Sequence, residues 1–207
     1  MIEKLACNLG RNDEIPNIEL AEALCQNEDD GGVREIAEGL KDKDKAVASD
    51  CIKVLYEIGE RKPHLISGYA DDFFSLLSSR NNRLVWGGMT ALAAIAELVP
   101  DLIYGRIDRV ISAFNDGGAI TVDNGITVLA KICKADKAYE SHLFPLLLEH
   151  LRKCRPFDVA RHAERMSVCV NKENVKDFLD ALVSRKEHLS GSQSEWIRKL
   201  ENKLTKL

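Results

Sequence analysis

The feature that most constrains this chain is its likeness to itself at an offset of 37 residues. Met89, Leu92 and Ile95 fall on Ile126, Leu129 and Ile132 one period later, and on Ile52, Leu55 and Ile58 one period earlier. A further period reaches Ala163, Met166 and Cys169. Two upstream columns repeat in step: Ile36, Phe73, Val110 and Leu147, then Leu40, Leu77, Phe114 and Leu151. Even the linker Pro63-His-Leu-Ile-Ser-Gly returns as Pro100-Asp-Leu-Ile-Tyr-Gly. A period of this length marks a stacked-repeat architecture, in which no single unit buries its apolar face alone.

Each unit carries two helical patterns. In the first, Ile36, Ala37 and Leu40, or Phe73, Phe74 and Leu77, lie at helical spacing on one face. A polar turn follows, as in Lys41-Asp-Lys-Asp-Lys, Ser78-Ser-Arg-Asn-Asn-Arg and Asn115-Asp-Gly-Gly. Such residues cap free backbone N–H groups or permit positive φ. The second pattern is apolar on more sides, as a helix packed between copies of itself must be. The run Leu84 to Pro100 is one such helix. It is too short, and carries Glu97, so it does not read as a membrane span.

The stretch Leu40-Lys-Asp-Lys-Asp-Lys-Ala-Val-Ala-Ser-Asp-Cys-Ile-Lys-Val-Leu-Tyr-Glu-Ile-Gly59 resembles a HEAT repeat of the armadillo-like α-solenoid family. The likeness lies in the Asp-x-Asp turn, in Val47 opening the second helix, and in Leu55, Ile58 and Gly59 closing it. It implies an all-α fold: a right-handed α-solenoid of about five HEAT-like helix pairs forming one domain over residues 1–207. Residues 33–170 hold four regular repeats, 1–32 an N-terminal cap and 171–207 a C-terminal cap pair. Residues 2–9 and 15–26 read as the two cap helices at the start. Residues 172–186 and 192–206 read as those at the end, with Ser192-Gln-Ser-Glu195 as a capping box. In that last helix Trp196, Ile197, Leu200 and Leu204 share a face, and Arg198, Lys199, Lys203 and Lys206 point out. The family often places Arg just after the Val of the second helix, to build a polar ladder between repeats. Here Ala48, Val85, Val122 and Val159 stand there, so packing between repeats is expected to be mainly apolar.

Charge and cysteine content narrow the function. The net charge is −4, divided as −8 over residues 1–103 and +4 over 104–207. That is not the footprint of a dedicated nucleic-acid binder. The six cysteines lack any C-x-x-C pair and read as reduced, structural thiols of a cytoplasmic protein. Gly87-Gly88 and Gly117-Gly118 lack the Lys-Ser/Thr of a phosphate-binding loop. Glu28-Asp-Asp30 and Asp71-Asp72 sit at helix starts, where acids offset the dipole. His142, His150, Cys154 and His162 form the one His/Cys group. His150 and Cys154 share a helix face, but the spacing is no zinc signature, so these read as surface or helix-end residues. No catalytic residue, cofactor or metal is assigned.

Trp86 stands out, because its column otherwise holds Ser49, Asp123 and Ala160. It is read either as an exposed hot spot or as a ring folded over the neighbouring repeat. The resemblance implies that the second helices line a concave groove. It thereby places Trp86, Thr90, Thr127, Lys131, Arg161 and Glu164 as partner-binding residues, beside the Lys53/Glu57 face. The expected function is a non-catalytic scaffold that binds a protein or peptide there. The alternative is a HEAT-like alkylpurine DNA glycosylase using Trp86, Asp123, Arg161 and Trp196. Against it, Thr90 stands one turn after Trp86, where such an enzyme needs its acid.

Overall fold

A computed structural model describes residues 1–204. Among them are twelve α-helices, short 3-10 turns and no strand. In order these are α1 (Ile15–Asn27), α2 (Asp30–Glu38), α3 (Lys45–Arg61), α4 (Ala70–Leu76), α5 (Asn82–Ile95) and α6 (Pro100–Tyr104). Then follow α7 (Ile107–Asp116), α8 (Ala119–Ala135), α9 (Lys137–Lys153), α10 (Val159–Met166), α11 (Val175–Val183) and α12 (Gly191–Leu204). None is long and apolar enough to cross a membrane. The chain divides between Gly125 and Ile126, inside α8, into two compact units.

In the first unit α1, α3 and α5 stack side by side, while α2 packs on α3 and α4 on α5. This alternation of first and second helices is the arrangement of an α-solenoid. Every residue of the apolar columns that begin at Ile36, Leu40, Ile52, Leu55 and Ile58, in both units, is buried. Each large apolar side chain among them contributes roughly 1.5–3 kcal/mol by leaving water. The polar turns supply the caps. Asp44 accepts from the Ala46 N–H at 2.8 Å and Asn81 from the Arg83 N–H at 3.0 Å. Asp29 does the same for α2 through the Gly32 N–H at 2.9 Å. Asp71 and Asp72 lie in the first turn of α4.

Two glycines let α3 and α5 come close. A Cβ on Gly87 would lie 2.7 Å from Ile52 Cγ1, and one on Gly59 would lie 2.8 Å from the Ala94 Cβ. At the next position a Cβ on Gly88 would lie 3.0 Å from both the Leu76 Cβ and the Phe73 carbonyl oxygen, a tight fit.

The structure departs from the expected elements in three places. The repeated linker is itself helical: Pro63–Leu65 and Ser67–Tyr69 form 3-10 turns, and Pro100–Tyr104 forms α6. Proline at the first helical position costs no hydrogen bond, so Pro63 and Pro100 start the first turn and α6 readily. Residues 2–9 are not a helix. A 3-10 turn at Ile2–Lys4 ends where Leu5 is extended, and Gly10 takes φ +66°. The capping box of α12 is shifted by two residues. Gln193 N donates to Ser190 Oγ at 3.4 Å, and the Ser190 N–H donates back to Gln193 Oε1 at 3.0 Å. Ser190 and Gln193 have the required spacing, and Gly191 opens the helix.

In the second unit α9 packs on α11 and α10 on α12. Glu140 of α9 ties the turn before α11, accepting from Asn171 at 3.0 Å and from Asn174 at 3.2 Å. In α12, Ile197, Leu200 and Leu204 are buried and Trp196 is half-buried; Arg198, Lys199 and Lys203 are exposed. The expected outward position of Lys206 lies outside the described residues.

Candidate functional site

The expected binding residues are best described unit by unit. In the first, Trp86 lies in the first half of α5 and is half-buried. Its ring meets that of Tyr56, one helix back on α3, with centroids 5.7 Å apart and planes tilted by 51°. The Arg83 guanidinium sits 5.9 Å from the indole centroid, at cation–π range. Thr90, one turn on, donates from Oγ1 to the Trp86 carbonyl at 2.8 Å. The same hydroxyl accepts from Asn124 Nδ2 at 2.8 Å.

A ladder of charge runs beside the aromatic pair. Arg83 donates to Glu14 at 2.6 Å, and Lys53 reaches Glu14 at 3.0 Å and Glu57 at 2.8 Å. Arg61 continues it to Glu57 at 2.6 Å and to Glu22 at 3.2 Å. The ammonium of Lys53 also lies 4.9 Å from the Tyr56 ring centroid. Burial opposes ionisation of Glu57, but hydrogen bonds and charge from Lys53 and Arg61 outweigh it and hold the carboxyl below its ordinary range. Glu14 follows the same balance, with Lys53 and Arg83 as its cations. Burial would weaken the Lys53 ammonium, yet Glu57 and Glu14 raise its pKa.

A polar ladder between α1, α3 and α5 is therefore present, though the sequence predicted mainly apolar packing. It is built from positions other than the one after the helix-opening Val. The apolar contacts are there as well, at Gly87 and Ile52. Each carboxylate of the ladder is paired with at least one cation. A separate cleft of about 640 Å³ opens at the turn end of α4, α5 and α7, lined by Leu77, Arg80, Val85, Asp108, Arg109 and Asp116. It does not include Trp86.

In the second unit Thr127 and Lys131 are half-buried on α8. Arg165 of α10 donates to Thr127 Oγ1 at 2.6 Å. Arg161 pairs with Asp158 at 2.7 Å, and Glu164 is exposed. The sequence grouped His142, His150, Cys154 and His162 and read them as surface or helix-end residues; His162 is instead buried, because α10 turns it toward the end of α9. His150 and Cys154, at the end of α9, meet His162 of α10, and one donor atom from each lies within 4.8 Å of the others. His150 Nε2 and His162 Nδ1 are 3.0 Å apart. Burial first, and the neighbouring His162 second, push the His150 imidazole down to about 4, so it is neutral at physiological pH. Burial raises the Cys154 thiol. His142 stands outside this group and is exposed. The sequence showed the i, i+4 spacing of His150 and Cys154 and the nearness of His162 along the chain, but not that the next helix turns His162 onto them. All six cysteines are free thiols, and Cys25, Cys51, Cys133 and Cys169 are buried.

Comparison with known proteins bears on the fold. No protein-family model matches the sequence, and no curated protein matches it. Among solved structures, an engineered protein aligns with a TM-score of 0.70 at 18% identity, over 100% of this chain and 99% of its own. A designed armadillo repeat protein aligns at 0.69 and 14% identity, covering 99% of this chain and 100% of its own. Another, solved in complex with the peptide (KR)4, aligns at 0.67 and 15% identity, covering 94% and 86%. The fold is an all-α, armadillo-like solenoid.

Proposed function

We propose that this repeat scaffold binds an extended segment of a partner protein along the face of its second helices, making and breaking no bond. The observation that carries this reading is the Trp86 platform. A large ring is half-exposed on α5, braced by Tyr56 and Arg83, with the hydroxyl of Thr90 and the amide of Asn124 one turn away. A braced aromatic loses little freedom on binding, and polar groups beside it can meet a peptide backbone. The designed armadillo protein that carries (KR)4 supports the reading at the level of fold. Thr127, Lys131, Arg161 and Glu164 are assigned the same role within the second unit.

The test is affinity capture with the wild-type chain, Trp86→Ala and Trp86→Phe, followed by mass spectrometry. The partner segment is then synthesised and titrated against each protein. Binding that weakens by about tenfold or more in Trp86→Ala, and partly recovers in Trp86→Phe, supports the proposal. Equal binding by all three removes Trp86 from the site. Release of alkylated bases from methylated DNA by the purified chain would replace this reading with the enzymatic one.

A further inference from the structure

We propose that His150, Cys154 and His162 form a binding site for a divalent metal of the zinc class.

The local structure brings the donors together. Helix α9 ends at Lys153, and the Cys154 N–H donates to the His150 carbonyl at 2.8 Å. That bond keeps the i, i+4 pair on one face as the chain leaves the helix. A 3-10 turn at Pro156–Asp158 reverses direction, and α10 carries His162 back against His150. His162 is 2% exposed, and the other two are half-buried.

The ligand set and its reach fit the ion. Two imidazoles and one thiolate are a zinc donor set that leaves a fourth position for water or another donor. With metal–nitrogen distances of about 2.0–2.1 Å and metal–sulfur of about 2.3 Å, tetrahedral donors lie roughly 3.3–3.6 Å apart. The two nitrogens are 3.0 Å apart, and all three donor atoms lie within 4.8 Å of one another. Adjustments on the order of 1 Å close the site around an ion. Without an ion the imidazoles share a hydrogen bond and the Cys154 thiol donates to the Leu151 carbonyl at 3.5 Å.

The surroundings suit the ion too. Arg185 donates to the Cys154 carbonyl at 2.6 Å and fixes the backbone that carries the thiol. Asp158 is 4% exposed and held by Arg155 and Arg161, each at 2.7 Å; its charge acts on His150 and His162 and favours cations nearby. Such a supporting shell orients ligands and tunes affinity.

The experiment uses the full chain after chelator treatment, titrated with Co²⁺ and then Zn²⁺. The expected result is one tightly bound equivalent, with a thiolate-to-cobalt charge-transfer band and the intense visible bands of tetrahedral cobalt. Zn²⁺ displaces both and slows alkylation of Cys154, a readout that needs no variant. Cys154→Ser removes the charge-transfer band, and both it and His150→Gln weaken Zn²⁺ binding by at least about tenfold. His142→Gln binds as wild type, and circular dichroism checks that each variant is folded. A wild-type chain that shows no such band, or folded Cys154→Ser and His150→Gln variants that bind Zn²⁺ like wild type, would overturn the proposal.

Discussion

Tyr56 and Trp86 meet ring to ring across two successive second helices, with centroids 5.7 Å apart. One aromatic is almost fully buried and the other half-buried, so the contact joins the core of α3 to the open face of α5. It gives Trp86 a structural duty as well as the proposed binding one.

A double-mutant cycle separates the two duties. Trp86→Ala is expected to destabilise the fold by about 1–2 kcal/mol, below the ~3–5 kcal/mol of a fully buried aromatic. Pairing it with Tyr56→Leu should reveal a coupling of about 0.5–1.5 kcal/mol. Urea unfolding of the four proteins measures both. Strict additivity would mean that the rings contribute only buried area.

Acid should weaken the first unit through Glu57 and Glu14. Both carboxyls titrate below their ordinary value of 4.5 in the fold. Their contribution is therefore fully present above that value and is lost as pH falls through the lower, folded values. Urea midpoints measured between about pH 7 and pH 3 should fall mainly below the ordinary carboxylate range. Lys53→Ala should cost about 1–2 kcal/mol near neutral pH, reduced from the buried-pair range because Glu14 is 41% exposed. It should also flatten the acid dependence.

Gly88→Ala tests the close packing. In an unhindered helix this change stabilises by about 1 kcal/mol. Here the new Cβ would lie 3.0 Å from both the Leu76 Cβ and the Phe73 carbonyl oxygen, and backbone cannot swing aside. We expect net destabilisation of about 1–2 kcal/mol, read as a lower Tm.

Thiol labelling should separate the cysteines by burial. Cys7 and Cys154 are half-buried, whereas Cys25, Cys51, Cys133 and Cys169 are buried. Burial pushes the Cys51 thiol up to about 12 and, with Asp50 beside it, Cys7 to about 11. Iodoacetamide on the native chain should modify only Cys154 and Cys7, both slowly, and reach all six in urea. Mass spectrometry of peptides gives the order directly.

The repeat columns were legible because each helix must turn the same face inward at every period. A column such as Ile36, Phe73, Val110 and Leu147 records burial without reference to any partner. The polar turns were legible for a similar local reason: Asp44 and Asn81 cap the helices that follow them. The capping box of α12 was misplaced because Ser190 and Ser192 both precede suitable partners, and only the start of the helix at Gly191 chooses between them.

What the sequence by itself determined is the period, the helical class and the identity of the buried faces. All three follow from side-chain chemistry at fixed spacing along one chain. The tertiary structure decided which polar groups meet. Glu14 and Arg83 pair across 69 positions, and His162 joins His150 from another helix. Those meetings depend on the rotation and axial offset of neighbouring helices. Contacts such as Gly87 against Ile52 set that offset, and periodicity along one strand of sequence carries no record of it.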